Sequence, residues 1–81
     1  MPYSVYIIYS SKNNIYYKGY SENLQNRLRE HNEGFSRFTS DKGPWDLVWH
    51  KEFETKKEAL IEEKRIKKLN HNSILKLISA G

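Results

Sequence analysis

The spacing of apolar and turn-forming residues predicts an α+β fold: a three-stranded antiparallel β-sheet flanked by helices, in the order β-β-α-β-α-α. Three observations carry that expectation. Two runs rich in Tyr, Val and Ile, at 3–10 and 15–20, are separated by an asparagine turn. A further alternating run, WDLVWHKEF at 45–53, follows a polar loop. The remaining segments carry helix-start signals followed by apolar residues at helical spacing.

Taken in order, Tyr3 to Ser10 has the β-branched and aromatic composition that packs on a pleated surface. Lys12-Asn13-Asn14 supplies the turn, because asparagine tolerates the left-handed backbone that tight hairpins require. Ile15 to Tyr20 is the return strand, and Gly19 inside it marks a bulge or a close approach by another group. Ser21 is the expected N-cap of the first helix, with Glu22 complementing its dipole. Leu24 and Leu28 form that helix's narrow apolar stripe, and Gly34 lies just past its end. Residues 34–44 read as a loop with basic and aromatic side chains. In the third strand Trp45, Leu47, Trp49 and Phe53 have one parity and are expected on one face. Thr55-Lys56-Lys57-Glu58 has capping-box spacing and opens a second helix that runs to the neighbourhood of Leu69. Asn70-His71-Asn72 breaks it, and Asn72 or Ser73 caps a short third helix with Ile74, Leu75 and Ile78 as its apolar side.

The chain of 81 residues suits one domain, residues 1–81, with a small core. It has no cysteine, which rules out disulfides, a thiolate nucleophile and a zinc–thiolate site, and fits a cytoplasmic protein. No apolar stretch approaches spanning length, and the opening Met-Pro-Tyr-Ser has no signal-peptide character, so no membrane association is expected. A formal charge of +4 and a pI near 9.4 favour a polyanionic partner. From residue 56 to the end there are seven Lys and Arg against three Glu, on a helical pattern. That distribution reads either as a basic binding face or as a solvated helix surface.

Several side chains stand out chemically. If the first hairpin loop has an even number of residues, Tyr6 and Tyr17 point to the same side of the sheet. Arg27 and His31, four apart on the first helix, present from one face at the border of the Leu24 and Leu28 stripe. Glu63 falls within the apolar stripe of the second helix, which Ala59, Leu60, Ile66 and Leu69 define. An unpaired carboxylate there is costly, so either a salt bridge to Arg27 or a lysine, or a metal cation, must offset it. Lys56, Lys57, Lys64, Lys67 and Lys68, with Arg37 and Lys42 in the loop, form a candidate phosphate track. Phe35 and Phe38 are candidates for stacking on a splayed base, with one of them expected in the core instead.

These residues carry a resemblance. Ser4-Val5-Tyr6, followed ten residues later by Tyr17-Lys18-Gly19, resembles the paired signature of the GIY-YIG nuclease superfamily. The likeness continues through NRLREHN, where Arg27 and His31 match the family's Arg and His on its first helix. EALIEEKRIKK resembles the segment that supplies its metal-binding glutamate, here Glu63. The match spans essentially the whole chain and is closest to small stand-alone members, which are related to the N-terminal nuclease domain of the excision-repair endonuclease. Ser4 replaces the signature's first Gly, and Lys18 replaces its usual apolar residue; neither position carries the family's chemistry. Asn32 is similar to a family position that steadies the end of the first helix. Asn70 and Asn72 are both candidates for a C-terminal family Asn near the metal.

The resemblance implies a metal-dependent endonuclease hydrolysing DNA, acting in repair or recombination, with Tyr6, Tyr17, Arg27, His31 and Glu63 as its catalytic set. A single carboxylate suits one Mg²⁺ (or Mn²⁺) that keeps most of its waters and gains phosphate oxygens as ligands. Arg27 would neutralise charge on phosphate, and Tyr6 or Tyr17 would orient and deprotonate the attacking water. His31 would relay the proton or donate to phosphate. The alternative is a nucleic-acid-binding module of the same fold with little or no cleavage; targeting would then come from DNA structure, a protein partner or a homodimer.

Overall fold

A computed structural model of the chain describes residues 2–34 and 42–80. It contains β1 (Tyr3–Ser10), β2 (Ile15–Ser21), α1 (Leu24–Asn32), β3 (Asp46–Phe53), α2 (Lys56–Lys67) and α3 (His71–Ala80). This is the expected α+β order. The three strands form one antiparallel sheet in the order β2-β1-β3. Arg37, Phe35 and Phe38, the loop candidates for nucleic-acid contacts, lie outside the described residues.

β1 is the middle strand, and Val5, Tyr6, Ile7 and Ile8 are all essentially inaccessible. Burial on both sides explains its unbroken apolar run, since alternation survives only where one face meets water. On one face Tyr6 and Ile8 pack with Trp45, and Ile15, Tyr17, Leu24, Leu28 and Leu47 close around them. On the other, Val5 and Ile7 meet Ala59, Ile66 and Ile74 from α2 and α3. The sheet is thus sandwiched, with α1 against one side and α2 and α3 against the other.

The hairpin turn has four residues, 11–14, and Asn14 takes a left-handed φ of 53°. The even loop pairs Tyr6 with Gly19 and Ile8 with Tyr17, so the two phenols lie on one face as diagonal neighbours.

Three local expectations are corrected. Trp45, Leu47, Trp49 and Phe53 do not share a face. Ile7 pairs with Trp49 and Ile8 with Leu47, which leaves Val48 as an extra, bulged residue. The bulge reverses parity, sending Trp45 and Leu47 towards α1 and Val48, Trp49 and Phe53 towards α2 and α3. The N-cap of α1 is Asn23, whose side chain accepts from the Asn26 N–H, because Ser21 is still paired with Ser4 in the sheet. The cap of α3 is Asn70, whose Oδ1 accepts from the Ser73 N–H at 2.8 Å, rather than Asn72 or Ser73. Thr55 caps α2 as expected, accepting from the Glu58 N–H. Past α1, Gly34 adopts φ 85°, the left-handed position that closes helices.

Leu60, expected on the buried side of α2, is 38% exposed, whereas Ile66 is fully buried. Ile66→Ala should therefore destabilise the chain by about 2–5 kcal/mol in urea unfolding. Ile61→Ala, at an exposed position, should change it by less than about 0.5 kcal/mol.

Candidate active site

The α1 face of the sheet holds four of the five expected catalytic side chains. Tyr6 lies inside because β1 is covered on both faces, and its hydroxyl must then find partners. It lies 2.9 Å from Nε2 of His31, itself fully buried. Arg27, one turn before His31, brings its guanidinium near the same hydroxyl and so acts to lower the phenol's pKa. Tyr6 Oη donates its proton to Nε2 when the imidazole carries its hydrogen on Nδ1. The ring of Tyr17 packs on His31 with centroids 5.0 Å apart, and meets Trp45 edge-on at 6.4 Å.

Gly19 gives this arrangement its room. A Cβ at that position would lie 2.8 Å from Tyr6 Oη and 3.0 Å from Cζ. The glycine in the second signature tripeptide therefore serves the close approach of a tyrosine from the neighbouring strand. The residue pattern flags such an approach at Gly19 without identifying its partner.

Burial sets the protonation states. It pushes the Tyr6 phenol up to about 12; the nearby Arg27 guanidinium acts against this, and the charges of Tyr17 and Glu63 add to it. Burial also pushes His31 down to about 4, assisted by the Arg27 charge and opposed by Glu30. At neutral pH the core of the site is thus a neutral phenol on a neutral imidazole. The Arg27 charge is steadied by Glu30, 3.5 Å away, a partner that sequence reading missed although it lies at helical spacing.

Glu63 approaches from α2, and its charge acts on the Tyr6 hydroxyl. Both helices reach the edge strand β2. The Glu63 side chain is 15% exposed and pairs with Lys67 Nζ at 3.5 Å. Adjacent Glu62 is held in a two-pronged contact by Arg65, with one arm at 3.0 Å, which lowers its pKa. Glu63 has no such fork and is the carboxylate whose charge reaches the phenol. Among the described residues no group of three or more His, Cys, Asp or Glu is arranged to hold a metal. This donor set does not fit a caged ion. It fits a hard cation held by one carboxylate and completed by water and phosphate oxygens.

The basic residues divide. Lys56, Lys57, Lys64 and Lys67 line a shallow, open groove between side chains of α2 itself, together with Glu63. Lys56 also borders a cleft of about 490 Å³ with Tyr20, Ser21, Asn26 and Arg27, linking the groove to the α1 side. Lys68 caps the end of α2 and does not line the groove. Lys42 is placed at the β1–β2 hairpin, where its carbonyl accepts from Ser10 Oγ. Asn32 clamps the Trp45 backbone in both directions, at 2.6 and 3.1 Å, and so ties the end of α1 to the start of β3.

With this fold and this cluster in view, the class of protein follows. Residues 2–76 match the GIY-YIG catalytic domain, and the chain belongs to that family of nuclease domains. Its relatives include UPF0213 proteins. It is 42% identical to one from Clostridium perfringens over 94% of this chain and 82% of the other. It is 37% identical to one from Staphylococcus saprophyticus over 95% of this chain and 94% of the other. The solution NMR structure of the UPF0213 protein BH0048 of Bacillus halodurans is similar at a TM-score of 0.63 and 31% identity, covering 99% of this chain and 85% of that one. No helix among the described residues is long and apolar enough to cross a membrane.

Two measurements test the site. Gly19→Ala should displace the Tyr6 hydroxyl, moving the His31 ring resonances and lowering stability by about 1–3 kcal/mol. His31 binds its proton more weakly folded (about 4) than unfolded (6.5). Between those values the unfolded chain carries the extra proton, so stability should fall as pH drops through that window. An NMR titration should show the His31 ring still neutral at pH values between the two.

Proposed function

We propose that the chain is a single-domain, divalent-metal-dependent endonuclease that hydrolyses DNA phosphodiester bonds in the cytoplasm, in repair or recombination. The observation that carries this reading is the buried Tyr6–His31 hydrogen bond beside the Arg27 charge. A surface that only binds DNA needs cations; it does not need a desolvated phenol–imidazole pair.

Lysines of the α2 groove and Arg27 bind the phosphates, and Arg27 turns from the Tyr6 hydroxyl to the non-bridging oxygens of the bond to be cut. Its fixed donor fork matches that charge. Tyr17, half-buried beside His31, orients a water in line with the 3′ oxygen. As the new O–P bond forms, the water becomes strongly acidic. Its proton passes to Tyr6 Oη while Tyr6 releases its own to His31 Nε2, so no free phenolate forms. The P–O3′ bond breaks, leaving a 5′-phosphate and a 3′ oxygen that takes a proton from solvent; His31 then returns its proton to solvent. Glu63 would hold Mg²⁺ or Mn²⁺, whose charge when bound stabilises the departing oxygen. This assigns His31 the relay role and removes Tyr6 as a free base, since a phenol held near 12 ionises too little at neutral pH.

A nicking assay on supercoiled DNA tests the reading. The wild type should cut with Mg²⁺ and stop with EDTA. Arg27→Ala and Glu63→Gln should each lose about 10²–10³-fold while remaining folded. Tyr6→Phe should lose activity to a similar extent. Equal cleavage by all three variants would overturn the assignment. DNA binding without turnover would leave the binding-module reading in its place.

A further inference from the structure

The groove along α2 has a feature that phosphate binding does not use. Among the described residues the exposed large apolar side chains are Leu60, Ile61 and Leu75. Two of these are consecutive, at 38% and 61% exposure, and both line the groove. Lysines flank them on either side, at 56 and 57 and at 64 and 67, and Glu63 stands at the same wall.

We propose that Leu60 and Ile61 receive an unstacked base beside the phosphodiester to be cut, so that the chain selects DNA with unpaired nucleotides over continuous duplex. This rests on the nuclease reading and adds the substrate class to it. Four ammonium groups against one carboxylate call for an anionic occupant. The apolar pair calls for a partner that is also flat and poorly hydrated. Continuous duplex offers phosphates, but its base faces are stacked inward, so Leu60 and Ile61 would meet only sugar and phosphate. A splayed base offers both chemistries at the spacing of one nucleotide. Leu and Ile are also residues that wedge between base steps and hold them apart. An acidic polypeptide would satisfy the lysines equally well. The groove, however, leads to Glu63 and, through Lys56, to the Arg27 cleft, so an occupant following the lysines passes both groups of the proposed cleavage site. A nucleic-acid strand has a reason to run there.

The test uses Glu63→Gln to separate binding from cleavage. One sequence is prepared as a single strand, as a duplex with an unpaired flap and as a continuous duplex, each with 2-aminopurine at the junction position. Single strand and flap should bind about tenfold more tightly than duplex, the size of one base contact, with a change in 2-aminopurine emission on binding. Leu60→Ser with Ile61→Ser should erase that preference while keeping duplex affinity. Ile61→Trp should enlarge it, which guards against mere loss of folding in the serine variant. Lys64→Ala with Lys67→Ala should weaken all three DNAs alike. Equal affinity for the three DNAs, or a preference surviving in the serine variant, overturns the proposal. So does binding of poly-glutamate in preference to every DNA. Because these readouts need no turnover, a wild type that shows the preference but never cuts would defeat the nuclease reading alone. One that cuts all three DNAs equally would defeat this proposal alone.

Discussion

The hydroxyl of Tyr6 is a polar group forced into a dry interior, and much of the site follows from satisfying it. β1 is the middle strand with helices on both faces, and Tyr6 on it is only 1% exposed. An unpartnered buried hydroxyl would cost about 1–3 kcal/mol; here it meets His31 and Arg27. Each partner brings its own constraint. His31 is fully buried and rests neutral. Arg27 keeps its charge at the protein surface with Glu30 beside it. Gly19 has to lack a side chain for the phenol to lie where it does. A packing requirement of the sheet and the assembly of the proposed chemistry are therefore the same set of contacts.

The sheet also explains how groups from opposite faces can cooperate in so small a chain. α1 covers one side and α2 the other, and the edge strand β2 lies between them. Lys56 joins the cleft beside Arg27 to the groove beside Glu63. Charge is thus arranged along a rim, with the neutral phenol–imidazole pair behind it and a lone carboxylate among lysines in front. A rim of that kind suits a substrate that is itself a line of negative charge.

Some of this was legible from residue spacing. The period-two pattern made the facing of Tyr6 and Tyr17 conditional on an even hairpin loop, and the four-residue turn meets that condition. The four-residue separation of Arg27 and His31 placed them on one helical face. Other features were not legible, for reasons of the same physical kind. The bulge at Val48 adds one residue opposite a neighbouring strand, and no local pattern in WDLVWHKEF reveals a missing partner across the sheet. Ser21 has the chemistry of an N-cap, but its pairing with Ser4 keeps it in the strand, a competition that only the long-range ladder decides. Leu60 fits the apolar stripe of α2 by spacing, yet in the fold it is 38% exposed.

The chain's own order of residues dictated the elements and their succession, because backbone propensity and side-chain period act over a few neighbours, and its motifs named the candidate catalytic side chains. Folding decided how those side chains are used. It made His31 a buried neutral acceptor, turned Gly19 into the space for a tyrosine hydroxyl, freed Glu63 from the fork that holds Glu62, and left Leu60 and Ile61 facing solvent. Burial and charge at a given atom depend on everything packed around it, and that environment comes from residues far apart in the chain.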